Sequence, residues 1–411
     1  MKPDYRNALA AVALLGLAPP AFADVITDWN DKAVAFGVSR NIGPPPAERI
    51  VAMTQVAMFD AVNSIERKYR PYLVQLPASA TASKEAAAAA AAGTVLAGIN
   101  PQAKDEMKAA LAAYLATMPD GPAKTEGIQL GEAVAAKILE ARLSDGANAP
   151  DIYRPRTAPG IYVQTMPTAV PHWPAVKPFA LTSASQFRPP APIALKSAEW
   201  AANYKEVKEF GDRAGAKRSA RQTEDARFWL ATDARVYYPV VRAVAEARKL
   251  GVADCARLYA LAAVARADAL IAVFDAKYHY EFWRPVTAIR NGDIDGNPAT
   301  ERDSAWQPID ATPMHPEYPC AHCISSASLA GVVRAMFGTD EIAEVSIASP
   351  TAPGVVHRFT NLRAFSDEVS QARIWAGFHW RFSTKVGQDM GYKIGDYVVK
   401  NFMQPVTLAA R

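Results

Sequence analysis

Cysteine is scarce in this chain: three among 411 residues, at Cys255, Cys320 and Cys323. That is few for an exported protein, so any stability must come from a hydrophobic core rather than from covalent staples. Cys320 and Cys323 form a C-x-x-C that an oxidising compartment can close into a disulfide. Cys255 falls on an apolar helix, where a buried thiol behaves as a small hydrophobe. Blocks of like charge are also missing. Lys and Arg number 45 against 41 Asp and Glu, a net charge of +4, which argues against nucleic acid or an anionic membrane as partner. No apolar run reaches the roughly 20 residues of a membrane span. The longest, 253–276, is interrupted by Arg257, Arg266 and Asp268 and reads as a core helix of a soluble protein. Nor does any stretch alternate with the period of a strand, so the fold class expected is all-α.

Half of the residues are hydrophobic, enough for a large core. The first 23 residues read as a signal peptide. Lys2 and Arg6 precede an apolar run over 8–18, and Ala21-Phe22-Ala23 forms an A-x-A cleavage site, so a periplasmic or secreted location is expected. Residues 24–195 form an N-terminal helical region with a strap, and residues 196–405 a second helical domain. Helices are predicted over 47–69, 83–99, 101–118 and 123–145. Asp60, inside the first of these, is expected to be a paired structural acid. The run of alanines in the second reflects helix propensity and close packing. From 145 to 192 prolines exclude long helices, while Tyr153, Tyr162, Trp173 and Phe179 mark an ordered extended strap rather than a disordered linker. Helices resume over 197–211, 223–232 with Thr223 as cap, 235–250, and from 254 through Lys277 towards Arg284. Later helices are expected over 321–337, 368–382 and 385–401. The stretch Asp293-Ile294-Asp295-Gly296-Asn297 resembles part of a calcium loop but lacks the distal Glu, which leaves a plain turn.

Three short segments carry the chemistry. The first runs from Lys277 to Pro285, the second is Pro319-Cys320-Ala321-His322, and the third runs from Arg373 to His379. Among their residues Lys277, Arg284, Arg373, His322 and His379 make an inventory of one Lys, two Arg and two His suited to a compact tetrahedral oxyanion. Lys277 and Arg284, seven apart, would share one face of a helix that Pro285 ends. His322 sits where a helix begins, so the N–H groups around Cys320, Ala321 and His322 can face an anion. His172, His279, His315 and His357 have no such context and read as structural.

At these residues the chain resembles the superfamily of vanadium-dependent haloperoxidases and type 2 phosphatidic acid phosphatases. Its pattern is Lys-x6-Arg-Pro, then Pro-Ser-Gly-His, then Ser-Arg-x5-His-x3-Asp. Lys277, Arg284 and Pro285 match the first part. Pro319 and His322 match the second, with Cys320 for Ser and Ala321 for Gly. Arg373 and His379 match the third, with Ala372 for Ser and Ser383 for Asp. The flanks Glu281-Phe282-Trp283 and His379-Trp380-Arg381-Phe382 resemble the chloroperoxidase branch. The resemblance implies a multi-helix bundle in which Lys277, Arg284, Cys320, Ala321 and Arg373 bind vanadate and His379 is its axial ligand. His322 is then the general acid or base. The implied reaction is halide oxidation by hydrogen peroxide, with a small organic acceptor for the oxidised halogen. With a phosphoester instead, the same site implies an acid phosphatase with a phosphohistidine at His379. Ser383 brings no charge to orient His379, so either another acid substitutes in space or His379 is a weaker ligand.

Two readings of other classes compete. Cys320-Ala321-His322-Cys323 invites a thiol–disulfide oxidoreductase, but the small βαβ pattern around such a motif is missing. A non-catalytic oxyanion-binding protein on the same scaffold would use the same cations. The sequence leaves the halide, the acceptor and the oligomeric state open; a homo-oligomer is compatible with it.

Overall fold

The computed structural model describes residues 25–164 and 167–406; the expected signal peptide lies outside them. Among the described residues, thirteen α-helices and one hairpin follow in chain order. They are α1 (Val25–Ser39), α2 (Pro44–Glu66), α3 (Lys84–Ile99), α4 (Lys104–Leu115), α5 (Pro122–Arg142), α6 (Ala198–Phe210), α7 (Ala220–Phe228), α8 (Tyr238–Ala247), α9 (Val252–Tyr280), α10 (Pro285–Arg290), α11 (Ala321–Phe337), strands β1 (Glu341–Ser349) and β2 (Ala352–Asn361), α12 (Leu362–Trp375) and α13 (Arg381–Asn401). The fold is helical, as expected. No helix among the described residues is long and apolar enough to cross a membrane.

At the centre stands α9, 29 residues long and buried along almost its whole length from Ala253 to Lys277. A helix apolar on all sides needs neighbours on all sides; α2 packs on one flank, with α11 and α13 on others. Two helix pairs approach unusually closely, and small residues explain both. On α13, Gly387, Gly391 and Gly395 recur every four residues and so form one stripe. A Cβ on Gly391 would sit 2.6 Å from the Ile324 carbonyl of α11. The run Ala86–Ala92 of α3 is wholly buried against α5, where a Cβ on Gly127 would meet the Ser83 carbonyl at 2.5 Å.

The proline-rich strap is ordered against the helices. Two buried carboxylates pin chain segments by gathering consecutive backbone N–H groups. Asp268 of α9 accepts from Phe179, Ala180 and Leu181 at 2.6–2.8 Å. Asp60 of α2 accepts from Tyr72, Leu73 and Val74 at 2.6–2.9 Å, the structural role expected for it. Burial raises both acids to about 6, against the opposing backbone hydrogen bonds.

Several boundaries differ from expectation. The hairpin was not anticipated, because its alternation is short: only Val345, Ile347 and Ser349 of β1 are buried. They pair antiparallel with β2, Val345 opposite Phe359 and Ile347 opposite His357. The cap of α7 is Ser219, not Thr223; Ser219 and Gln222 close a reciprocal capping box. The turn at Asp295 is plain: its carboxylate accepts from Trp200 Nε1 and Thr300 Oγ1.

Candidate oxyanion site

Lys277 and Arg284 do not share a helix. α9 ends at Tyr280, and Glu281 takes a left-handed conformation (φ 51°) while its N–H donates to Lys277 O at 2.8 Å. The chain then doubles back, so that Arg284 becomes the residue preceding α10, whose first residue is Pro285. The proline starts a helix instead of ending one. Arg373 and His379 are also separated: α12 stops at Trp375 and turns through Gly377 at φ 77°. A Cβ there would meet Gly211 O at 2.5 Å. The turn is closed by Phe378 and His379 N–H groups donating to Arg373 O at 3.1 and 3.3 Å. His322 lies in the first turn of α11, as expected.

These turns converge on a buried cluster with Arg284 at its hub. Arg284 donates through Nε to His315 O (2.9 Å) and through Nη1 to Phe378 O (3.0 Å). Its Nη1 also lies 3.2 Å from His379 Nε2, and Nη2 lies 3.0 Å from His315 Nδ1. Lys277 Nζ donates to Pro316 O and Glu317 O at 2.9 and 2.7 Å. Arg373 Nη1 donates to Trp229 O, and its Nε is buried without a partner. His322 Nε2 is 3.2 Å from Ala231 O.

Glu317 settles the question left by Ser383. His379 Nδ1 is 2.7 Å from Glu317 Oε1, which also accepts the Trp380 N–H at 3.1 Å. Ser383 is not one helical turn beyond His379. It sits inside α13, where its carbonyl accepts the Cys320 N–H and its hydroxyl lies close enough to Glu317 to ease that acid's ionisation. A carboxylate from a different loop therefore orients the imidazole.

The electrostatics follow from burial. Desolvation, then the neighbouring cations, drive His379, His322 and His315 well below their ordinary range, so all three rings are neutral. With Nδ1–H directed to Glu317, the lone pair of His379 lies on Nε2, beside Arg284. Burial brings Lys277 well down, Arg284 to about 10 and Arg373 to about 9, and raises Glu317 to about 7. Lys277, Arg284 and Arg373 thus surround the one carboxylate of Glu317, and all four side chains are buried. Nearby Arg266 is already neutralised by Glu48. Buried charge of one sign without a counter-charge is costly, and an anion seated here would remove that cost.

Beside the cluster opens a cavity of ≈ 300 Å³ lined by Ala321, His322 and His379, by His315 and Arg266, and by apolar side chains including Pro45, Val170, Leu270, Phe274 and Met314. Lys277, Arg284 and Arg373 are not part of this lining; Arg284 meets it through His315 and His379. Cys320 takes no part in it: its sulfur is bonded to Cys323, which removes free thiols from the site. The Cys320 N–H is used by Ser383 O, leaving the N–H groups of Ala321 and His322 as those of the first turn that need outside partners. Two participants were not recognised in the sequence, His315 and Glu317. His315, read as structural, hydrogen-bonds to Arg284 and lines the cavity. The available signal was their position, two ionisable residues between prolines directly before Pro319.

Residues 257–407 match the family model of the VCPO second helical-bundle domain. Vanadium chloroperoxidase of Curvularia inaequalis is 28% identical over 235 residues, 42% of this chain and 38% of that protein. The match thus spans well under half of the curated relative's length. Among solved structures, a bacterial vanadium-dependent iodoperoxidase superposes with a TM-score of 0.79 at 25% identity, over 94% of this chain and 98% of that one. A holo-type bacterial vanadium-dependent chloroperoxidase gives 0.68 at 18% identity, over 87% and 92%. Fold and site define a helical bundle built around a buried cluster of Lys277, Arg284, Arg373 and His379. Residues 257–407 thus carry the similarity to that domain family, and the fold as a whole is similar to that of bacterial vanadium-dependent haloperoxidases.

Proposed function

We propose that the protein is a vanadium-dependent haloperoxidase, oxidising halide with hydrogen peroxide. The observation that carries this is His379, neutral, fixed by Glu317 through Nδ1 and presenting Nε2 within reach of Arg284. The residues fit vanadate: the lone pair of His379 Nε2 would bind it, the buried Lys277, Arg284 and Arg373 would hold its oxygens, and Arg373 Nε is without a partner. Bound at His379, vanadate would supply Lewis-acid activation of peroxide. Lys277, Arg284 and Arg373 would hold the oxyanion by charge-assisted hydrogen bonds. His322, neutral and lining the cavity, would accept the proton from incoming peroxide and return it to the leaving oxygen. The apolar walls at Leu270, Phe274 and Met314 would receive a small organic acceptor and exclude water. The apolar run and A-x-A of residues 8–23 support an exported protein whose mature chain starts at Asp24, testable by the mass of the mature chain.

The same residues would bind a phosphoester, with His379 as nucleophile and His322 protonating the leaving alcohol. One experiment separates the chemistries: orthovanadate titration of the mature protein, with bromide oxidation and phosphoester cleavage assayed in parallel. Vanadate-dependent bromide oxidation that vanishes in His379→Ala supports the proposal. Phosphoester cleavage inhibited by vanadate, without bromide oxidation, replaces it with the phosphatase. Absence of vanadate binding overturns both.

A further inference from the structure

Away from the oxyanion site, α7, β2 and α12 bring Glu224, Asp225 and His357 together, with one donor atom from each within 4.8 Å of the others. His357 is 2% exposed and its ring is stacked flat on Phe228, 3.8 Å between centroids and 5° between planes. Its Nδ1 lies 2.6 Å from Glu368 Oε1, an oxygen also held by Trp229 Nε1 at 2.9 Å. Glu368 therefore fixes the Nδ1–H tautomer and aims the Nε2 lone pair inward. That buried nitrogen has no hydrogen-bond partner. It faces Asp225 Oδ1 at 3.7 Å and Glu224 Oε1 at 3.8 Å.

These separations decide what can sit between the groups. A proton cannot bridge them, because an N–H···O bond needs about 2.7–3.2 Å. A lone pair facing two carboxylate oxygens with nothing between them is repulsive. Donor atoms in a tetrahedral zinc site, at about 2.0–2.2 Å from the metal, lie roughly 3.4 Å apart, so a small inward movement of the half-exposed Glu224 would suffice. A carboxylate behind the Nδ1–H is the usual support of a metal-binding histidine. Three carboxylates here face one guanidinium. Arg221 reaches Asp225 Oδ1 at 2.7 Å, Glu224 Oε1 at 3.3 Å and Glu368 Oε2 at 3.4 Å. It offers nothing to His357 Nε2, and its side chain is 58% exposed, free to withdraw into solvent.

We propose that Glu224, Asp225 and His357 form a binding site for a divalent metal of the zinc class, with solvent in the fourth position and Arg221 as the cation it displaces. The imidazole ligand disfavours calcium and magnesium, which take oxygen donors. The site would tie the hairpin to α7 and α12.

The test uses the untagged mature protein, stripped with chelator, then equilibrated with Zn2+ or, as a spectroscopic probe, Co2+. One Zn2+ per chain is expected, with the visible absorption of tetrahedral Co2+. Binding should weaken at least tenfold in His357→Gln, in Asp225→Asn and in the surface variant Glu224→Gln, and tighten in Arg221→Ala. Vanadate binding serves as a folding control for each variant. No retained Zn2+, or retention unchanged in the folded variants, overturns the proposal and leaves Arg221 as the counter-charge of the three acids.

Discussion

At the scale of single residues, Glu317 is the group on which the site turns. Glu317→Gln keeps the shape and an acceptor for His379 Nδ1–H but removes the charge. Vanadate affinity should fall by about 10–100-fold, the usual cost of losing such a supporting carboxylate, measured by equilibrium titration. The same variant isolates a pH effect. Glu317 titrates near 7 in the folded protein against an ordinary 4.5, raised by burial. A raised value means that the folded state favours the protonated form, so this contribution is full below 4.5 and is lost as pH rises through about 7. Without bound oxyanion, the melting temperature of the native protein should therefore fall, relative to Glu317→Gln, between pH 4.5 and 8. Cys255 is buried and Cys320 is bonded to Cys323. Alkylation should label no thiol in the native protein, one after unfolding, and three after unfolding with reductant. Cys320 is taken up by its bond to Cys323, whereas Ala321 and His322, which line the cavity, were legible from the motif. Glu317 and His315 were not, since the loop that carries them matches no periodicity and their value lies in what they face across space.

At the scale of elements, the glycine stripe of α13 sets how deeply α11 sits, and α11 carries His322. Gly391→Ala would place a methyl against the Ile324 carbonyl and the Ser328 N–H, backbone atoms that cannot swing aside. A destabilisation of about 1–3 kcal/mol is expected from such overpacking, read by chemical denaturation. Vanadate binding should weaken with it, because His322 moves with its helix. Helix existence was well marked by periodicity and caps, and α11 begins and ends where expected. Two expected helices were drawn too long, past Tyr280 and past Trp375. In each case a left-handed residue, Glu281 or Gly377, ends the helix and returns the next functional side chain to the cluster. At Glu281 nothing local announces this, since a non-glycine residue adopts φ > 0 only where tertiary contacts hold it.

At the scale of the whole molecule, the bundle surrounds a net positive cavity with a wide apolar core and so keeps the cations together at a cost in stability. Binding an oxyanion should reverse that cost. Saturating orthovanadate is expected to raise the melting temperature of the native protein, with the gain growing with the logarithm of its concentration. Arg284→Ala should abolish the gain. The apolar region 253–276 serves this architecture as the central helix, and two of its buried charges are satisfied internally: Arg266 by Glu48, and Asp268 by three N–H groups of the strap.

The sequence by itself determined the helical class, the ordered strap, and the placing of Lys277, Arg284, His322, Arg373 and His379 in three short segments. These are properties of composition, period and spacing, which are local. Only the tertiary structure decided that Glu317 takes the place left by Ser383, that His315 joins Arg284, that the two cysteines are bonded, and that His357 of β2 meets two acids of α7. Each of these depends on which distant backbones come within about 4 Å, and that is fixed by packing around α9 rather than by any neighbour in the chain.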